Sequence, residues 1–76
     1  MEAEYLVEMA NDISNFFGSA NEPAKASAEA ASHMRRQWDP RMRRQVIEIW
    51  RSGTGHFTDV ARGAVALLAA EKPATG

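Results

Sequence analysis

The dipeptide Asp39-Pro40 most constrains how this chain can fold. The helical patterns on either side of it would otherwise run together as one long helix. A proline pushes the preceding residue out of the helical region, so Asp39 must end the first run. Proline lacks the amide hydrogen that goes unpaired in a first turn, so Pro40 suits the start of the next. The Asp39 carboxylate can accept from the free amides of that turn. One dipeptide thus stops a helix, starts another and forces a corner between them.

Apolar spacing extends the pattern to four helical segments. Tyr5, Leu6, Met9, Ile13, Phe16 and Phe17 recur at helical spacing, with Glu4, Glu8, Asn11 and Asn15 opposite. Gly18 is a suitable stop, which predicts a first helix over about 3–17. Glu22-Pro23 opens a second over about 23–37, whose stripe is Ala24, Ser27, Ala31, Met34 and Trp38. That stripe is mostly small, so another helix can approach closely. The alanine-rich start resembles a linker, but alanine is the best helix former. A third helix over about 40–51 carries Met42, Val46, Ile49 and Trp50 and ends at Gly53. Thr58 caps a fourth, to about residue 70, lined by Val60, Ala64, Leu67 and Leu68 and widened by Ala61 and Val65. The expected fold is all-α: a small bundle of three to four helices forming a single domain over 1–76, with 71–76 a frayed tail.

Size then limits what such a bundle can be. A chain of 76 residues buries only about 60% of its unfolded surface. Short chains commonly lean on disulfides, a metal or a partner. There are no cysteines, which removes disulfides, thiolate zinc sites and iron–sulfur ligation. His33 and His56 alone are a poor basis for a metal cage. A partner is the remaining support. No signal-like N-terminus and no apolar run approaching ~20 residues is present, so the chain reads as cytoplasmic.

The formal net charge of −1 hides an asymmetry. Residues 1–34 set six acids against Lys25, whereas 35–51 set six arginines against Asp39 and Glu48. The stretch "HMRRQWDPRMRRQ", residues 33–45, holds five of the nine basic side chains together with Trp38. Three readings compete for it.

Chemistry is the weakest of them. No Ser or Thr lies in a recognisable motif with a base, and the two histidines fall in separate elements. His33 reads as a boundary histidine beside the second helix's stripe, and His56 as a solvated turn residue. The glycines of "SGTGHF" make no phosphate loop, because no Gly-Lys-Ser/Thr follows.

Nucleic acid is the alternative, with arginines of the basic segment 35–51 lying on phosphates. Against it stand the near-zero net charge, the acidic first helix, and a third helix too apolar to read bases.

Docking on a protein fits best. Arg43 projects between Ile47 and Trp50, inside an apolar face, where it must pair with an acid of the first helix or meet a partner. Arg41, Arg44 and Arg51 project outward. Tryptophan beside arginine is the composition of interface centres. The residues expected to meet a partner are Arg35, Trp38, Arg41, Arg43, Ile47 and Trp50, held at the corner by Asp39 and Pro40.

The same residues carry a resemblance. "YLVEMANDISNFF" and "HMRRQWDPRMRRQ" resemble the delta subunit of NAD-dependent, molybdenum- or tungsten-containing formate dehydrogenases. Leu6, Val7, Met9, Ala10, Asn11, Ile13, Phe16 and Phe17 match its opening motif. His33, Arg35, Trp38, Asp39, Pro40, Arg41, Met42 and Arg43 match its second. The alanine-rich "EPAKASAEAAS" departs from the family pattern, as does "SGTGHFTD" in place of a Gly-Leu-Asp-Pro-like turn. The resemblance implies a non-catalytic accessory subunit of a cytoplasmic enzyme that holds no cofactor itself. Its large catalytic partner subunit would carry bis-molybdopterin guanine dinucleotide and iron–sulfur clusters, and other subunits would carry FMN and meet NAD. Support of assembly, stability or cofactor insertion is the role it implies.

Overall fold

The computed structural model describes residues 3–71, and the tail expected at 71–76 lies, beyond Glu71, outside the described residues. Among the described residues there are four helices and no strand: α1 (Ala3–Gly18), α2 (Pro23–Gln37), α3 (Pro40–Ser52) and α4 (Asp59–Ala70). Each predicted helix is present, with ends within one residue of expectation.

The caps explain that agreement. Asp39 Oδ1 accepts from the Met42 amide at 2.9 Å, and Asp39 itself is extended, with φ −72° and ψ 164°. Such a cap contributes about 1 kcal/mol. Thr58 Oγ1 accepts from the Ala61 amide at 3.1 Å and starts α4. Gly53 ends α3 at φ 75°, a left-handed conformation that favours glycine. Glu22 opens α2 without a side-chain cap bond, leaving Pro23 to set the first turn.

One core lies among the four helices, with Leu6, Met34, Val46 and Val65 its largest fully buried side chains apart from Ser14. α2 packs most extensively on α4 and then on α1. The reason is size: α2 contributes Ala26, Ser27, Ala30 and Ala31, and α4 contributes Ala61 and Ala64. Their backbones approach until a Cβ on Gly63 would lie 2.5 Å from Ser27 Oγ and 3.1 Å from Ser27 Cβ. That hydroxyl donates to the Val60 carbonyl at 2.9 Å, tying the helices together.

The buried stripes differ from the expected ones in a consistent way. α1 buries Leu6, Val7, Ala10 and Ser14, while Tyr5 and Phe16 are 53% and 72% exposed. α2 leaves Ala24 exposed, and α4 exposes Leu67. Close approach of helix backbones selects small side chains for the contact, so α1 is rotated to turn Tyr5 and Phe16 outward while Met9, Ile13 and Phe17 stay partly buried against the core.

The rotation also gives Asn11, expected on the solvent face, a structural task. Its Nδ2 donates to the His56 carbonyl at 3.0 Å and its Oδ1 accepts from the Thr58 amide at 3.0 Å. This clamp holds the α3–α4 loop to α1, while Phe57 of that loop inserts into the core.

Candidate functional site

α3 is the least buried helix. Of its residues only Val46 is fully buried; Met42, Arg43, Ile47, Ile49 and Trp50 are half-buried. Its outer edge, the C-terminal end of α4 and the last turns of α2 enclose an open groove of about 650 Å³. Arg35, Arg43, Arg44 and Arg51 line it together with Glu48 and Glu71. Pro40, Ile47, Leu68 and Ala69 supply its apolar part.

Folding brings these groups together from distant parts of the chain. Arg35 reaches Glu71 across 36 positions: Arg35 Nε donates to both carboxylate oxygens at 3.0 and 2.9 Å, and Nη2 donates to Oε2. This bond raises the Arg35 pKa and holds the Glu71 carboxyl below its ordinary value, with the nearby charge of Arg43 adding to the second effect. Both partners stay accessible, at 44% and 35% side-chain exposure.

Of the two readings of Arg43, the internal ion pair with α1 is not formed. No acid of α1 meets it; the ion pairs among the described residues are Arg35–Glu71 and Arg62–Asp59. Its Nε is buried and without a hydrogen-bond partner among the described residues. Such an atom loses hydration without compensation, a cost that a bound acceptor would remove. Ser14 Oγ on α1 is likewise buried and unpartnered.

The other residues expected at an interface divide. Arg35, Arg43 and Ile47 line the groove, as does Pro40 of the corner. Trp38 does not present itself to a partner: it is 5% exposed and belongs to the core. Its large apolar area anchors the bend between α2 and α3 in the shared core. Trp50 is half-buried against the core, and Arg41 is exposed outside the groove lining. Arg44 and Arg51, read from sequence as merely outward, join the groove because α4 ends beside α3. The contribution of Glu71 was missed entirely. No local signal reveals a pairing across so much sequence.

Four arginines against two glutamates leave the groove cationic, and its apolar part favours a ligand that is not purely ionic. The two histidines take no part. His33 meets the Phe17 ring edgewise at 6.1 Å, and His56 is an exposed loop residue. Among the described residues no group of three or more His, Asp or Glu side chains is placed to hold a metal ion. No described helix is long and apolar enough to cross a membrane.

Fold and groove together define a small all-α protein with a cationic, apolar-floored surface. The family described as NADH-dependent formate dehydrogenase delta subunit FdsD matches residues 5–65, and the chain belongs to that family. No curated protein and no solved structure matches it.

Proposed function

We propose that this chain is a non-catalytic accessory subunit that docks on the large molybdopterin and iron–sulfur catalytic subunit of a cytoplasmic NAD-dependent formate dehydrogenase. There it supports assembly, stability or cofactor insertion. Family membership supplies the enzyme. The observation that carries the docking role is the buried, unpartnered Nε of Arg43 in a groove with three further arginines and Ile47. A guanidinium held this way is prepared for a carboxylate or carbonyl that the chain does not provide. Arg35 shares the groove with Arg43, Trp50 and Arg41 extend the contact on either side, and Trp38, Asp39 and Pro40 hold its shape. The bis-molybdopterin guanine dinucleotide, iron–sulfur clusters, FMN and NAD belong to the partner subunits.

The basic segment has less to offer nucleic acid. Glu48 and Glu71 lie among its arginines, and the groove lining holds no aromatic ring on which a base could stack.

Co-expression of the tagged chain with the large subunit tests the proposal. Removing one member of a buried, bonded charge pair at an interface costs about 2–5 kcal/mol, whereas a rim charge costs little. Arg43→Ala should therefore release the large subunit, while Arg36→Ala, exposed and outside the groove, should retain it. Circular dichroism establishes that each variant is folded. Full retention by a folded Arg43→Ala chain would remove the groove from the docking site.

A further inference from the structure

We propose that the groove receives a carboxylate side chain of the partner, carried on an acidic and apolar segment, and that Glu71 occupies that carboxylate's seat on Arg35 until the partner arrives. This rests on the docking role above and adds its chemistry and its resting state.

Charge sets the ligand class. Arg35, Arg43, Arg44 and Arg51 face Glu48 and Glu71, so the groove holds more cation than its own anions can match. Shape narrows it further. Arg43 lines the groove half-buried, with its Nε left without a partner among the described residues, and a planar guanidinium bonds a carboxylate through two parallel contacts. Ile47, Leu68 and Ala69 place apolar surface beside those contacts, where a leucine-like side chain next to the acid would be covered. A phosphate chain would leave that surface wet and would meet two glutamates. The groove therefore favours a protein segment over a nucleic acid.

The geometry of Glu71 makes it a substitute ligand. It stands just past the end of α4, as the capping residue, with φ −73° and ψ 140°. Its amide stays bonded to the Leu68 carbonyl at 3.3 Å whichever way its side chain turns. The carboxylate can leave Arg35 without unwinding α4. Because both partners are substantially exposed, the bond that must break is a weak one. An incoming carboxylate would reproduce it on Arg35 and add the contact to Arg43 that Glu71 leaves unmade.

The test measures fluorescence anisotropy of a short labelled peptide rich in glutamate, with leucine at every third position, against the full chain. Binding is expected, and a glutamine-for-glutamate version of the peptide should not bind. Glu71→Gln removes the competitor and should tighten binding on the order of two- to fivefold, the scale of an exposed ion pair. Arg43→Ala, and Arg43→Lys, which keeps charge but not the fork, should each weaken it at least about tenfold. Unchanged or weaker binding by Glu71→Gln overturns the substitute-ligand role. A single-stranded RNA that binds more tightly than the peptide overturns the ligand class, as does displacement of the peptide by equimolar inorganic phosphate. Failure of the wild-type chain to bind the peptide while it retains the large subunit defeats this inference alone. Loss of peptide binding in Arg43→Ala with the large subunit retained would instead defeat the docking role and leave the carboxylate site intact.

Discussion

The two sides of α4 are built on opposite principles. Toward α2 it presents Gly63, Ala61 and Ala64, and the meeting is close enough for a side-chain hydroxyl to bridge the helices at 2.9 Å. Toward α3 it faces a helix whose Met42, Ile47 and Trp50 are large and only half-buried, with Ile47 beside Leu68 and Ala69. The first contact is made by small side chains that are almost all buried. The second has more apolar material than it covers. A bundle of this size cannot do both everywhere, and it closes the α2–α4 side while leaving α3 open. Stability should therefore concentrate on one side of the molecule and binding on the other.

The largest expected effect tests that division directly. Met34 is fully buried on α2, and Met34→Ala should cost about 2–5 kcal/mol through lost transfer energy and the cavity left behind. Ile47→Ala removes a side chain of similar size from the groove, where only part of its area is out of water. Its cost should be about 1 kcal/mol. Thermal unfolding of the two variants decides the matter: equal destabilisation would mean α3 is as much a part of the closed core as α2.

A smaller effect sharpens the account of the tight side. The Cβ of Gly63→Ala would lie 2.5 Å from Ser27 Oγ, so the helices must separate or Ser27 must turn and give up its bond to Val60. Overpacking of this kind costs about 1–3 kcal/mol. In a Ser27→Ala background the oxygen is gone and the added methyl should cost less. Residues in contact couple by about 0.5–3 kcal/mol in such cycles. Strict additivity of the two changes in denaturant unfolding would show that the approach is looser than described.

How far the sequence disclosed this arrangement follows the same division. Helix ends were readable because each depends on local chemistry: Asp39 and Thr58 as caps, Pro23 and Pro40 in first turns, Gly53 in a left-handed turn. Orientation was not. Weighting α1 by its largest apolar groups pointed Tyr5 and Phe16 inward, yet the buried positions include Ala10 and Ser14. Hydrophobic size identifies the face that transfers most area, whereas the closest helix contacts select for smallness. Asn11 looked solvent-facing because its partners, the His56 carbonyl and the Thr58 amide, are backbone groups with no signature in the sequence. The groove was half legible. Arg35, Arg43 and Ile47 came from the motif and the helical projection, but Glu71 depended on where α4 ends beside α2.

The smallest predicted effect lies at that Glu71 contact, on the open side. Arg35 and Glu71 are 44% and 35% exposed, so their bond should contribute only about 0.2–1 kcal/mol once solvent screening is counted. Its pH dependence gives it a signature that the tight side lacks. The hydrogen bond from Arg35, helped by the charge of Arg43, lowers the Glu71 pKa below its ordinary value. A group whose pKa is lowered by folding contributes stability that is fully present above its unfolded pKa and disappears as pH falls through the folded one. The same bond raises the Arg35 pKa, so that share is lost only at extreme alkaline pH. The stability difference between the wild-type chain and Glu71→Gln should thus be constant through neutral pH and close on the acid side, below the ordinary glutamate range. Thermal unfolding across acid pH measures it, as a shift of a few degrees at most for a chain of this length. A difference that persists unchanged into strong acid would mean that Glu71 stabilises the fold by packing, and the carboxylate would not be the group that Arg35 holds.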